Sequence, residues 1–223
     1  MSGLPQVLIT VIPLAIASMV SPLAIITIMT ILSAGSNRAK KGILFVSTYF
    51  LTFAVICIIF LAIGSATTSG GEPSVTTASI DIILGILLLY ESARSFLKKG
   101  GSKTFDPSTM GATAIASMGA FFGVGNIFSS LPALAASKDI GVAVISPLDK
   151  AVAFVITMVI ALCWSWGPLA IYIASPKNFD RYLNPVTFWL RKHGGQLIAA
   201  VFLLVGIYLL VRGISDLTAL QIV

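Results

Sequence analysis

Two polar interruptions in otherwise apolar sequence are the places where this chain has residues for chemistry. In the first, Ser18, Ser21 and Pro22 lie near the middle of an apolar block. Proline has no N–H, so Pro22 frees the Ser18 carbonyl from its helical bond. In the second, Gly123, Gly125, Asn126, Ser129 and Ser130 share one stretch, with Gly119 and Pro132 beside them. Gly123-Val-Gly-Asn126 can unwind, and Asn126 offers both a donor and an acceptor. Paired interruptions at matching places in two halves of a chain point to a substrate path in transporters built from repeats. The plainer reading is close helix packing through small residues with a proline kink. Asn126 is the residue on which the substrate-path reading leans most.

Ionisable residues within apolar blocks are costly and therefore functional candidates. Glu91 and Arg94 are three residues apart, on one face of a helix. They are either an ion pair at the membrane boundary or a proton-coupling carboxylate with its partner. Asp81 opens the third block, where a helix start suits a carboxylate. Asp149 and Lys150 open the fifth and either pair locally or line an entrance. Buried charge is otherwise expected to be scarce, and no catalytic residue is expected. Cys57 and Cys163 sit in apolar blocks without a CxxC pattern, and the single histidine, His193, cannot build a metal site. No cofactor is implied. Ser69-Gly70-Gly71 precedes no basic residue and reads as a flexible loop.

The elements that must carry these residues follow from composition. The 223 residues are 57% hydrophobic and 10% charged, with a mean hydropathy of +1.01. A soluble domain carries about 25% charged residues. The apolar blocks are each long enough to span as helices and lack the alternation of barrel strands. The expected class is an all-α integral membrane protein with six spans at 5–33, 42–64, 77–97, 112–136, 148–174 and 195–215. The first, fourth and fifth are longer than a span needs and are expected to tilt, break or extend. Arg38, Lys40, Lys41, Arg94, Lys98, Lys99, Lys103, Lys177, Arg181, Arg191 and Lys192 fall on one side, against Lys138, Lys150 and Arg212 on the other. The positive-inside rule puts the first set in the cytoplasm of a plasma (inner) membrane, with both termini extracytoplasmic. The net charge of +6 therefore reads as topology, and no nucleic-acid partner is expected. No Lys or Arg precedes the first block, so no removable signal peptide is expected.

The halves show a faint duplication. Lys41-Gly-Ile-Leu-Phe45-Val46 aligns with Lys150-Ala-Val-Ala-Phe154-Val155, and Leu88-Leu-Tyr90 with Arg94 aligns with Gly206-Ile-Tyr208 with Arg212. Ser21-Pro22 falls opposite Gly125-Asn126. Three spans is an odd number, so the second copy is inverted, giving a 3+3 plan with residues 1–104 as the first repeat and 105–223 as the second. Between the last two spans, the 176–193 segment mixes aromatic and basic residues. Asn184 and Pro185 are expected to cap and open a short interfacial helix there. Its role reads as an aromatic anchor and gate support in preference to a specific lipid-binding site.

Ser21-Pro22, Leu32-Ser33 and Lys41-Gly42, then Gly123-Val-Gly-Asn126-Ile, then Trp189-Leu-Arg-Lys-His193 with Ile198-Ala-Ala-Val-Phe-Leu-Leu-Val-Gly206 and Gly213, resemble the GAP family. These are the Sap, or sulfolipid/glycopeptidolipid-addressing, proteins of the lysine-exporter (LysE-like) superfamily. The resemblance covers nearly the whole chain and implies six helices, inverted repeats and export, for some relatives of cell-wall glycolipids. Pro22 lacks the Pro-Gly-Pro-like surroundings of the amino-acid exporters. Cys57 and Cys163 lie outside the spans where the thiol-redox relatives carry theirs. Three functions stay open: an exporter or flippase of a lipid or lipid-linked cell-envelope glycoconjugate, a proton-coupled exporter of a small solute such as an amino acid, and a non-transporting accessory subunit. Membrane lipids are the expected partners, and small-residue helix faces would also suit a homodimer.

Overall fold

The structure, a computed structural model, describes residues 3–33, 36–67, 74–97 and 110–221. The Ser69-Gly70-Gly71 run and Lys98, Lys99 and Lys103 lie outside them. Among the described residues the elements are α-helices without a strand: α1 Leu4–Met19, α2 Pro22–Ser33, α3 Arg38–Thr67, α4 Val75–Leu97, α5 Ala112–Gly125, α6 Ile127–Val142, α7 Pro147–Ala161, α8 Cys163–Ala174 and α9 Phe179–Gln221.

Three helices are long and apolar enough to cross a bilayer: α3, α4 and the Lys192–Leu220 part of α9. The other six form bent pairs, α1–α2 by 57°, α5–α6 by 69° and α7–α8 by 71°, which brings the spans to as many as six if each pair is one. The chain is a multi-pass membrane protein. Its outer faces carry large apolar side chains, such as Ile9 at 74% and Leu204 at 70% exposure, as lipid contact requires.

Each bend has a local cause. Pro22 opens α2, and the Ser21 carbonyl receives the first donors of that helix from Ala24 and Ile25. Asn126 sits at φ −88°, ψ 31° between α5 and α6, closing α5 through its N–H to the Phe122 carbonyl. Leu162 turns in the same way, and the Trp166 indole N–H bridges the bend to the Val159 carbonyl at 2.8 Å. Pro168 in α8 is the nearby sequence signal for this third bend.

Helices pack where side chains are smallest. Gly119 and Gly123 of α5 lie against Phe45, Thr48, Thr52 and Phe53 of α3, and Gly85 of α4 meets Gly206 of α9. These approaches leave no room for a Cβ. Lipid-exposed helices associate through such close contact because the hydrophobic effect does not favour one apolar partner over another. The α4 and α9 helices form the most extensive pair, bonded also by the Ser92 hydroxyl to the Ala199 carbonyl at 2.7 Å.

Two expected boundaries are corrected. The fourth block does not end at residue 136 but runs in α6 to Val142, taking Lys138 and Asp139 with it. The 176–193 segment does not hold a separate capped helix. From Phe179 onward it is already α9, which runs through Pro185 for 43 residues, about 64 Å at 1.5 Å per residue. Asn184 is therefore a helical residue and not the start of one. Phe188 and Trp189 stay exposed, as an anchor at the membrane surface would.

Candidate functional site

The two interruptions meet. The Asn126 side-chain N–H donates to the Ser21 hydroxyl at 2.8 Å, a bond across 105 residues of chain between the breaks of α1–α2 and α5–α6. The Ser130 hydroxyl returns to the Asn126 carbonyl at 3.1 Å, occupying an acceptor that the bend would otherwise expose. Ser18, Ser21 and Ser130 are all buried. Pro22 is buried and faces Gly194 of α9. Gly123 is held against Thr52, while Gly125 faces the ring of Phe121 on its own helix. Ser129 falls in the first turn of α6, and its side chain lies outside the described residues.

One participant escaped the sequence reading. Tyr49 of α3 is 4% exposed, and its hydroxyl lies close enough to the Asn126 side chain to interact with it. It stands in a ladder of Phe45, Tyr49 and Phe53, one turn apart, packed on Phe122 with ring centroids 5.5 Å (Phe45) and 6.1 Å (Tyr49) away. A phenol within a phenylalanine stripe at four-residue spacing was the available signal, because a buried hydroxyl needs a partner. Ser21, Tyr49 and Asn126 thus form a small polar junction where three spans cross, enclosed by aromatic rings.

A second polar cluster sits at one end of the bundle, near the start of α4 and the end of α6. The Lys138 ammonium meets an Asp81 oxygen at 2.5 Å and an Asp139 oxygen at 3.2 Å. Arg212 meets Asp139 at 2.6 Å and Asp81 at 3.8 Å. Two acids and two bases from α4, α6 and α9 so alternate around a ring. The Lys138 and Asp81 side chains are each 1% exposed, against 28% for Arg212. Charges this deep persist only in pairs, since an isolated ion costs several kcal/mol there. The expected scarcity of buried charge is therefore corrected. Lys138-Asp139 looks like a solvated loop in sequence, and its partners are too distant in the chain to reveal otherwise.

The remaining candidates have local partners. Glu91 and Arg94 approach to 3.5 Å within α4, with Arg94 49% exposed. Asp149 joins Ser146 in capping α7: the Ser146 hydroxyl accepts from the Asp149 N–H and contacts its carboxylate at 2.8 Å. Lys150 turns from Asp149 to donate to the Gly141 carbonyl at 2.6 Å, at the end of α6. Among the described residues no group of His, Cys, Asp and Glu is arranged to hold a metal.

A family model for Sap, sulfolipid-1-addressing protein, matches residues 11–215. The chain belongs to this family. Membership associates it with lipid-related processes of the cell envelope. The matched region spans both the Ser21–Asn126 junction and the four-charge cluster. No curated protein and no solved structure matches the chain significantly.

Proposed function

We propose that the chain is a six-span transporter of two inverted three-helix repeats, residues 1–104 and 105–223, that exports or flips a lipid or lipid-linked cell-envelope glycoconjugate. The observation that carries the transporter reading is the Asn126–Ser21 bond, which joins two broken spans at corresponding places in the two halves. The pattern of helix contacts supports the repeat. Let α1–α2 exchange with α5–α6, α3 with α7–α8, and α4 with α9. The packing of α3 on α5–α6 then becomes that of α7–α8 on α1–α2. The α2–α3 contact becomes α6–α7, α4–α6 becomes α9–α2, and α4–α9 maps onto itself. With the basic loops in the cytoplasm, the four-charge cluster faces the outside of the plasma membrane.

The lipid substrate is supported by the family and by a lateral cavity. Ile9, Thr10, Pro13 and Leu14 of α1 and Leu204, Val205 and Tyr208 of α9 enclose about 390 Å³. It opens between lipid-facing helices, and its walls are mainly apolar, which suits a chain entering sideways. A second reading, a proton-coupled exporter of a small solute such as an amino acid, is favoured by the carboxylates Asp81 and Asp139, which are buried, rather than by Glu91, whose partner Arg94 is half-exposed. Neither reading requires an enzymatic step.

The test is reconstitution in liposomes, following transbilayer movement of fluorescent lipid and polyprenyl-linked glycan analogues, with labelled amino acids as a second panel. Lipid movement lost in Asn126→Ala is the expected result. Amino-acid flux without lipid movement would replace this reading by the solute exporter. No movement of either class, with or without a proton gradient, would leave the accessory-subunit reading.

A further inference from the structure

The helix contacts divide the bundle into two bodies. Each of α4 and α9 makes its main contact with the other, and the pair touches the remaining helices only along narrow strips. The rest is knit together by α3 with α5 and α6, and by α1 with α6 and α7. Between the bodies runs a seam, and the cavity between α1 and α9 lies along it.

Among the described residues, the contacts at the two ends of the seam differ in chemistry. At one end Asp81 and Arg212 from the pair hold Lys138 and Asp139 of α6 through two crossing ion contacts, Lys138–Asp81 and Arg212–Asp139, while the other two contacts of the ring stay within one body each. At the other, Gly194 of α9 rests on Pro22, and Phe179 meets the Tyr172 ring edge-on at 5.1 Å, both neutral contacts. The comparison within the chain is direct. Arg94 is the counterpart of Arg212 in the aligned halves, yet it bonds Glu91 on its own helix and crosses no seam. Among the described residues, one of the two related ends has its arginine bonded across the bodies. Charge-assisted bonds are about twice as strong as neutral ones, so the two ends differ in what must break for the seam to part.

We propose that the Asp81–Lys138–Asp139–Arg212 cluster is a releasable clamp that shuts one end of this seam, and that the transport cycle opens it. The inference rests on the transporter reading for its purpose but on the two-body packing for its mechanics. All four charges are compensated within the ring, so opening separates Asp81 and Arg212 from Lys138 and Asp139. That leaves a neutral ion pair on each side, Lys138 with Asp139 on α6 and Asp81 with Arg212 on the helix pair. Neither body is then left with net charge, which is what a reversible gate needs and a permanent staple does not.

The experiment places a reporter inside the seam. Ala135 lies three residues before Lys138 and four before Asp139, on the α6 face that carries both, and is fully buried. Ala135→Cys is made in the full chain with Cys57→Ala and Cys163→Ala, reconstituted in liposomes and exposed to a membrane-impermeant maleimide. The decisive variant is Asp139→Asn with Arg212→Gln, which removes two charges and strands none. The expected result is labelling about tenfold faster than in the parent, with elution and thermal unfolding unchanged, as for a gate weakened by about 1.4 kcal/mol. Unchanged labelling in a folded double variant overturns the clamp. The second balanced pair, Asp81→Asn with Lys138→Gln, guards against a fold-specific failure of the first. Loss of folding in both doubles would make the cluster a folding element and also overturn the proposal. Faster labelling without flux of lipid or solute in any variant would keep the clamp and remove the transporter reading.

Discussion

Removing the Asn126 amide would separate the two breaks, and the loss can be apportioned from the geometry. Asn126→Ala deletes the 2.8 Å bond to Ser21 and the polar side chain beside the Tyr49 hydroxyl. The two hydroxyls left behind are not equivalent. Ser21 lies in the break between α1 and α2, where its short side chain can rotate to a nearby backbone acceptor. The Tyr49 phenol is held between Phe45, Phe53 and Phe122, and its long rigid ring cannot fold back onto its own backbone. Leaving a buried polar group unpaired costs about 1–3 kcal/mol. Asn126→Ala should therefore destabilise by about 2 kcal/mol and Ser21→Ala by about 0.5 kcal/mol. Interhelical hydrogen bonds in membranes average about 0.6 kcal/mol in double-mutant cycles. The double variant should accordingly fall short of the summed losses by about that amount. The assay is reversible unfolding in mixed detergent micelles of the wild type, both single variants and the double. A coupling energy of zero, or equal losses from the two single substitutions, would refute the assignment of the junction as a tie between the breaks.

Two further outcomes follow from the packing and the charges. Gly119→Leu drives a side chain into the Phe45 carbonyl and Thr48, so it should lower stability by about 3 kcal/mol or prevent folding, whereas Gly111→Ala, with open space around it, should stay within about 0.5 kcal/mol in the same thermal unfolding assay. Glu91→Gln removes a half-exposed pair and should change stability by less than about 0.5 kcal/mol, with flux in liposomes equally unaffected by a proton gradient before and after; loss of a gradient response in this variant would restore Glu91 as a coupling group.

The membrane class was legible because apolar runs of the required length leave few alternatives. The two breaks were legible too, because Pro22 and the Gly123-Val-Gly-Asn126 run mark them by residue type. Their meeting was foreshadowed by the faint alignment of the halves. The charge cluster was hidden for a physical reason. A buried lysine is tolerated only through partners, and those of Lys138 and Asp139 lie 57 and 73 residues away. Read locally, Lys138-Asp139 is a solvated loop, and that reading cut the fourth span short. Pro185 misled in the opposite sense. An Asn-Pro step favours a helix start, but α9 was already under way and carries the proline in its interior. Tyr49 was masked by its neighbours, since a stripe of aromatics reads as packing until one hydroxyl finds a partner.

The ring of four charges also bears on how the protein is made. Segments enter the membrane in the order of synthesis, so Asp81 arrives first, Lys138 and Asp139 together next, and Arg212 last. Until α9 inserts, the nascent chain holds two carboxylates against one ammonium inside the bilayer. The final helix brings the missing positive charge. Electroneutrality is thus reached only when α9 inserts, and a truncated product lacking α9 would be left with an uncompensated acid and be exposed to membrane quality control.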